Sequence, residues 1–367
     1  MYKKILFYIL ISLIADKAVN GQSIMQRSVI EAGYTRGFIL PHHKEIEYNV
    51  TDHINAFSAS LSFLPQADND FTSLYRLPRV GVAFYTGNLS NNTIYGRAYS
   101  FYPYLTIPLS PPLNKLVWNI QFGQGISWLT KTFNAENNWK NTAIGTHLNI
   151  HVHLSTGIQY RLTSNLEIFS HLTFVHVSNA RIKSPNLGLN MVGNKTGISY
   201  AIKPFPVKYT PWNKKNNVRH WSGLVSISGG TKTRNHYDNN RYYGLMLALD
   251  LRKHFSPVNA LAIGTDLFFD NSLAEELRLM EENRTQTSFG DLLRSGIHMG
   301  YEAHYRKTTF VFQAGYYVYN HYFDITRLYN RVGFRYTLFK NTGISVLLRS
   351  HNFKADFMEF GLTYQWQ

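Results

Sequence analysis

Residues 147–162 of the chain read HLNIHVHLSTGIQYRL, and polar and apolar side chains alternate strictly through the first nine of them. In an extended strand, Leu148, Ile150, Val152 and Leu154 share one face and the intervening polar residues share the other. The segment is longer than a typical strand of a globular domain. A tilted strand needs about 9–11 residues to cross a bilayer. The pattern therefore predicts a strand with one face toward lipid and one toward a polar barrel interior.

Strand-like segments of this kind recur along the chain, and no apolar run is long enough for a membrane-spanning helix. A charged segment at 273–284 is typical of a loop helix. Aromatic residues make up 15% of the sequence, which suits a barrel with aromatic girdles at the membrane surfaces. We therefore predict an all-β fold, an antiparallel transmembrane β-barrel of the bacterial outer membrane with about 12–16 strands. The predicted strands are 28–40, 54–63, 79–87, 94–107, 116–129, 147–162, 166–178, 221–232, 241–252, 259–270, 294–306, 308–321, 330–340, 342–350 and 356–366.

The first 21 residues have the pattern of a secretory signal peptide. Lys3 and Lys4 precede an apolar run at 5–15 that is too short to span a bilayer. We expect residues 22–367 to form one barrel, because no linker within them is long or flexible enough to separate two units. Such a protein would be secreted, and the barrel-assembly machinery would be its partner during insertion into the outer membrane. Its oligomeric state is left open.

The chain is strongly basic and contains no cysteine. Lys and Arg number 37 against 22 Asp and Glu, which gives a formal net charge of +15. Without cysteine, disulfides and cysteine-based metal or redox sites are excluded. A basic chain often binds nucleic acid, but a secreted protein rarely meets it, so we expect no nucleic-acid partner. The abundant polyanion of a bacterial envelope is lipopolysaccharide, whose phosphates attract Lys and Arg.

The candidate chemistry lies in residues 174–190, which read FVHVSNARIKSPNLGLN. His176 and Ser178 are two residues apart, so a strand places them on one face with Cα atoms about 7 Å apart. Leu172 and Phe174 belong to the same face, which we interpret as lipid-facing. Two interpretations of the pair are open. It is either the polar end of a strand at the membrane interface or a serine nucleophile with its general base.

Together with Asn179, Pro185, Asn186 and Gly188, this pair resembles the signature of the lipid A 3-O-deacylase family, the PagL-type acyloxyacyl hydrolases. These are outer-membrane β-barrel enzymes. Four further segments, 76–81, 96–103, 142–148 and 354–361, resemble the longer members found in Bacteroidetes-type bacteria. The eight-stranded core of the compact members would map to about 27–203, and about 204–367 would be an extension.

The resemblance implies an esterase that removes an ester-linked acyl chain from lipid A. Ser178 would attack the acyl carbonyl, and His176 would be the general base. Asn179 and Asn186 would stabilise the oxyanion with amide donors. Gly188 would permit the tight return of the chain, in a turn that also contains Pro185. Ser–His chemistry of this type requires no metal and no organic cofactor.

One position departs from the family pattern, because the family's acid falls here on Asn190. Three cases are open. Asn190 orients the imidazole in a slower enzyme, a carboxylate such as Glu167 or Asp250 replaces it, or the protein is a lipid-binding pseudoenzyme. A fourth alternative is a pore-forming or structural barrel. An open lumen would favour that alternative, and a filled lumen would favour the enzyme.

Other polar residues have simpler interpretations. Arg181 and Lys183 are solvated loop charges or contacts to lipid A phosphates at the membrane surface. His151 and His153 have the spacing of a metal pair, but their place on the polar face favours lining of the lumen. His42 and His43 are interpreted as an exposed turn.

Overall fold

A computed structural model of the protein describes residues 27–65, 70–206, 208–213, 219–234, 240–280, 286–321, 326–352 and 354–367. Within these ranges, sixteen antiparallel strands form two closed barrels of eight strands each. The chain divides into two units, one of Met1–Asn179 with Pro185–Trp212 and one of Ala180–Ser184 with Asn213–Gln367. The predicted signal peptide, residues 1–21, lies outside the described residues.

The first barrel is an up-and-down meander in which each strand pairs with the next. It closes because β1 also pairs with β8, from Val29 opposite Ala201 to Ile39 opposite Met191. Its strands are β1 (Ser28–Ile39), β2 (Ile54–Phe63), β3 (Arg79–Asn88), β4 (Arg97–Pro108), β5 (Leu116–Leu129), β6 (Leu148–Arg161), β7 (Leu166–Ser178) and β8 (Leu189–Ala201).

The second barrel repeats this topology and closes where the chain's last strand pairs with the first strand of the unit, with Trp366 opposite Gly223. Its strands are β9 (His220–Thr233), β10 (Arg241–Ser256), β11 (Asn259–Asp270), β12 (Leu293–Tyr305), β13 (Thr308–Asn320), β14 (Leu328–Thr337), β15 (Thr342–His351) and β16 (Lys354–Trp366).

Short helices occupy the connections of both units. They are α1 (Lys44–Glu47), α2 (Asp70–Leu74), α3 (Ser272–Met280) and a 3₁₀ turn at Phe289–Leu292. The predicted loop helix at 273–284 corresponds to α3 over 273–280, and its residues 281–284 lie outside the described residues. Among the described residues, none of the helices has the length and apolar character needed to cross a membrane.

The predicted fold class is confirmed, but the expectation of a single barrel over 22–367 is wrong. The absence of a long linker was a poor criterion. Once β1 and β8 pair with each other, the first eight strands leave no edge that could accept β9, so the later strands form a barrel of their own.

Side chains alternate between the outer wall and the interior in both barrels. On β10, Leu247 and Leu249 are exposed on the outer wall while Ala248 and Asp250 are buried inside. On β6, the predicted polar face points inward, and His151 and His153 are buried against Tyr102 with ring centroids 4.5 and 5.2 Å away. The prediction that these histidines line the lumen is confirmed. The interior of the first barrel is filled by side chains, as expected for eight strands.

An apolar cluster fills the end of the first barrel at which β7 ends and β8 begins. Val177 and Leu189, from the ends of these strands, pack with Ile46 of α1 and with Ala143 and Ile144 of the β5–β6 connection. Burial of these side chains fixes the connections over the barrel end. The connections after β1 and β5 are therefore held beside the last residues of β7.

Candidate active site

His176 and Ser178 are outward-facing residues at the end of β7. The inward positions of this strand, such as Val175 and Val177, are fully buried, whereas Leu172 on the outer face is 58% exposed. The predicted outward orientation of the pair is therefore confirmed. Ser178 is nevertheless only 6% exposed. The hydroxyl Oγ of Ser178 lies 3.0 Å from Nε2 of His176, within hydrogen-bond distance.

Asn190 lies directly opposite His176 in the β7–β8 ladder. Directly opposed residues of antiparallel strands have their side chains on the same face, with Cβ atoms about 4.5–5.5 Å apart. The Oδ1 atom of Asn190 is 2.7 Å from Nδ1 of His176. A carboxamide oxygen only accepts, so Nδ1 carries the proton, and Nε2 of a neutral imidazole is then free to accept from Ser178.

The two carboxylates considered as substitutes for Asn190 have other partners. Glu167 faces the lumen of the first barrel, where it pairs with Arg79 at 3.4 Å and Arg161 at 3.3 Å. Asp250 faces the lumen of the second barrel and binds Nε2 of His298 at 2.6 Å. Neither carboxylate takes the place beside His176, which Asn190 occupies.

The turn after Ser178 has an unusual backbone. Ala180 and Arg181 adopt positive φ angles of 54° and 64°, which are uncommon for residues with a Cβ. The Oδ1 atom of Asn186 accepts a hydrogen bond of 2.9 Å from the backbone N–H of Asn179. Asn179 and Pro185 are buried. The two asparagines are thus brought together beside the serine, and they hold the turn in shape.

Gly188 lies against the Ser–His pair. Its φ is +77°, and a Cβ atom at this position would lie 2.8 Å from Cε1 of His176 and 3.3 Å from Cβ of Ser178. Its N–H donates to the carbonyl of Ala143 at 3.0 Å. Only glycine combines this backbone conformation with so close an approach to the imidazole.

The two basic residues of the turn have different surroundings. Arg181 belongs to the second unit, where its Nη2 donates to the carbonyl of Arg234 at 2.9 Å and its Nη1 lies 3.8 Å from Asp356. Lys183 is exposed. The prediction that both contact lipid phosphates stays a prediction.

One residue that reaches the site, His42, is not predicted from the sequence. Its Nδ1 lies 3.1 Å from Nδ2 of Asn190, and its Nε2 lies 2.9 Å from the carbonyl oxygen of Leu187. His42 precedes Asn190 by 148 positions. No local pattern at His42 could indicate this contact, which depends on pairing of the first strand of the barrel with the last.

Metal chemistry at the site has no support from a ligand cluster. Across the described ranges, no group of three or more His, Asp or Glu side chains is placed to hold a metal ion.

Two family models match the chain. The model described as lipid A 3-O-deacylase (PagL) matches residues 45–199, and the model described as the C-terminal domain of acyloxyacyl hydrolase matches residues 221–367. Together they account for most of the sequence. Comparison with curated protein sequences gave no match.

Three solved structures illustrate the structural similarities. Neisserial surface protein A is 11% identical, over 47% of this chain and 96% of its own, with a TM-score of 0.32. The outer membrane enzyme PagL is 13% identical, over 46% and 97%, with a TM-score of 0.31. The N-terminal β-barrel domain of Pseudomonas aeruginosa OprF is 13% identical, over 48% and 99%, with a TM-score of 0.29.

Proposed function

Since the chain belongs to the lipid A 3-O-deacylase (PagL) family, we propose that it is an outer-membrane esterase that removes an ester-linked acyl chain from lipid A. The observation that carries the proposal is the hydrogen-bonded series Ser178–His176–Asn190, with contacts of 3.0 and 2.7 Å. A nucleophile bonded to a base, and a base bonded to an orienting group, is the arrangement expected of a serine hydrolase.

The reaction proceeds in two halves. Ser178 attacks the acyl carbonyl while Nε2 of His176 takes the hydroxyl proton, which it then gives to the departing sugar oxygen. This leaves the acyl chain on Ser178 as an ester. Water, deprotonated by the same Nε2, attacks this ester and releases the fatty acid.

Asn190 orients the imidazole without adding a charge. A carboxylate would both orient the ring and stabilise the imidazolium that forms during proton transfer. In a serine protease, changing the triad Asp to Asn lowers turnover about 10⁴-fold because the imidazole is held in the wrong tautomer. Here Oδ1 faces Nδ1, which selects the tautomer that leaves Nε2 basic. We infer a slower enzyme and not an inactive one.

Amide donors of the turn would stabilise the oxyanion. The Oδ1 atom of Asn186 is already bonded to the N–H of Asn179, so its Nδ2 is the end of that carboxamide available as a donor. The carboxamide of Asn179 is the second candidate. Loss of one such donor typically costs 10²–10³-fold in turnover.

The outward position of the pair suits a substrate that is itself a membrane lipid. The acyl chains would lie along the apolar outer wall, which includes Leu172 and Ile198. The ester then reaches Ser178 without entering the lumen. As a separate contact, Lys183 and Arg181 of the second unit are proposed to meet lipid A phosphates at the membrane surface. The filled first lumen supports an enzyme over a pore, and insertion by the barrel-assembly machinery is part of the proposal.

Mass spectrometry of lipid A from cells that produce each variant tests the function. Wild-type protein should yield lipid A that has lost one acyl chain, and Ser178→Ala should not. Ser170→Ala is the matched control, because Ser170 is another outward-facing serine of β7, hydrogen-bonded to Asn194 and distant from His176 in the strand. Identical acylation with wild type and Ser178→Ala would eliminate the hydrolase and leave the pseudoenzyme or the structural barrel.

A further inference from the structure

His42 completes a four-membered hydrogen-bonded series with the three residues of the site. It lies in the connection after β1, and its imidazole stands between Asn190 and the backbone of Leu187. The connection is fixed on both sides of it. The N–H of Leu40 donates to the backbone carbonyl of Asn190 at 2.8 Å, and Ile46 is fully buried in the apolar cluster.

The backbone carbonyl of Leu187, at the end of the series farthest from Ser178, determines which atom donates in each hydrogen bond. The carbonyl of Leu187 can only accept, so Nε2 of His42 carries the proton. Nδ1 of neutral His42 is then an acceptor, and it faces Nδ2 of Asn190, which can only donate. Oδ1 of Asn190 is thereby directed to Nδ1 of His176. One carbonyl and one imidazole thus determine which end of the carboxamide meets the catalytic base.

The opposite orientation of the carboxamide would be unproductive. Nδ2 of Asn190 would then face Nδ1 of His176, which would have to accept. The proton of His176 would move to Nε2, and that atom could not take the proton of Ser178. A carboxylate presents two equivalent oxygens and has no such wrong orientation, whereas an amide at this position requires a partner that distinguishes its two ends.

We propose that His42 is a positioning residue that holds Asn190 with its oxygen toward His176. The inference rests on the proposed esterase function, because it concerns the base of that reaction. His42 does not touch the reacting atoms. Its imidazole acts through Asn190 and lets an uncharged residue serve as the third member of the site.

The test compares His42→Phe with His42→Gln in purified full-length protein, with lipopolysaccharide as substrate and released fatty acid as the readout. Phe keeps a ring of similar size but removes the acceptor, so kcat should fall on the order of 10-fold while KM stays within about 2-fold. Gln offers Oε1 as an acceptor and should retain at least about half of wild-type kcat. His43→Phe is the matched control, since the neighbouring ring lies 4.8 Å from His42 in the same connection.

The same substitution made in a second variant distinguishes loss of the Asn190 orientation from general disruption of the loop that contains His42. In Asn190→Asp, where both side-chain oxygens accept, adding His42→Phe should lower kcat less than about 2-fold. Equal losses in the two backgrounds, equal activity of the Phe and Gln variants, or an unchanged His42→Phe enzyme would each overturn the proposal. If Asn190→Asp is inactive, the proposal is tested by the comparison of His42→Phe with His42→Gln alone. Failure of the function itself would appear separately, as wild-type protein that releases no fatty acid or as release that survives Ser178→Ala.

Discussion

The two barrels have the same strand number and the same antiparallel closure, but different groups fill them. Beneath the site, the first barrel contains aromatic rings, with Tyr102 stacked on His151 and His153. Its ion pairs, such as Arg79 with Glu167, lie at the opposite end. The second barrel instead contains buried ion pairs along its length. These join Arg335 to Glu302, Arg331 to Asp266, Lys232 to Asp270 and Asp356, and Arg349 to Asp356.

Polar residues thus occur in two different settings within the same eight-stranded architecture, on the outer wall of the first barrel and in the interior of the second. Ser178, His176 and Asn190 are on the outer face of their strands in the first barrel. The charged side chains of the second barrel are inside, and they contact one another. Buried charges are costly unless paired, so the second lumen is a structural interior whose polar groups stabilise a particular arrangement. The number of polar residues in a strand therefore does not identify a site. The candidate site differs from the polar interior because its side chains lie on the outer face of their strands.

Removal of one charge from the second lumen should have the largest effect on stability. Asp266 is fully buried and binds Arg331 at 2.6 Å, Nδ1 of His298 at 2.8 Å and the hydroxyl of Tyr329. Asp266→Asn keeps the shape but leaves Arg331 without its partner, and should lower the free energy of unfolding by about 3–5 kcal/mol. Urea titration of the protein in lipid vesicles measures the change.

The matched change in the first lumen is His151→Phe. Neither ring nitrogen of His151 has a hydrogen-bond partner among the described residues, so an apolar ring should cost less than about 1 kcal/mol or even stabilise the barrel. Equal destabilisation by the two variants would mean that the ion-paired interior of the second barrel and the ring-filled part of the first barrel do not differ in how polar groups contribute to stability.

A smaller effect should follow from Gly188→Ala. The new Cβ would meet Cε1 of His176 at 2.8 Å, and a residue with a Cβ at positive φ costs about 1–2 kcal/mol. Displacement of the imidazole by a fraction of an ångström should lower kcat about 10- to 100-fold. Release of fatty acid from lipopolysaccharide measures this loss.

Gly96→Ala controls for backbone strain. Gly96 also has a positive φ, of +70°, and its added Cβ would meet the side chain of Thr130 in a different connection. The two variants should lose similar stability, but only Gly188→Ala should lose turnover beyond that. Equal turnover in both variants would mean that glycine is needed at position 188 for the backbone conformation of the turn and not for the close approach to the imidazole of His176.

Much of the fold and part of the site follow from local sequence patterns. The alternation in 147–162 predicts β6 and its inward histidines, and the spacing of His176 and Ser178 predicts a shared outward face. No strand is predicted at 189–201, so the β7–β8 register that places Asn190 opposite His176, 14 positions away, comes from the structure.

The features that were missed depend on contacts distant in sequence. Closure of β1 on β8 decides between one barrel and two, and no local pattern records which strands pair across the barrel. The same closure brings His42 to Asn190. The ion pairs of the second lumen likewise join different strands, as in the contact of Lys232 with Asp356.

If Ser178 is a nucleophile activated by His176, a serine-reactive fluorophosphonate should modify it. Protein in detergent micelles is treated with the reagent, digested and mapped by mass spectrometry. One phosphonyl group is expected on the peptide that contains Ser178, with much slower labelling in His176→Ala. Labelling at another serine, or an active preparation in which Ser178 stays unmodified, would contradict it.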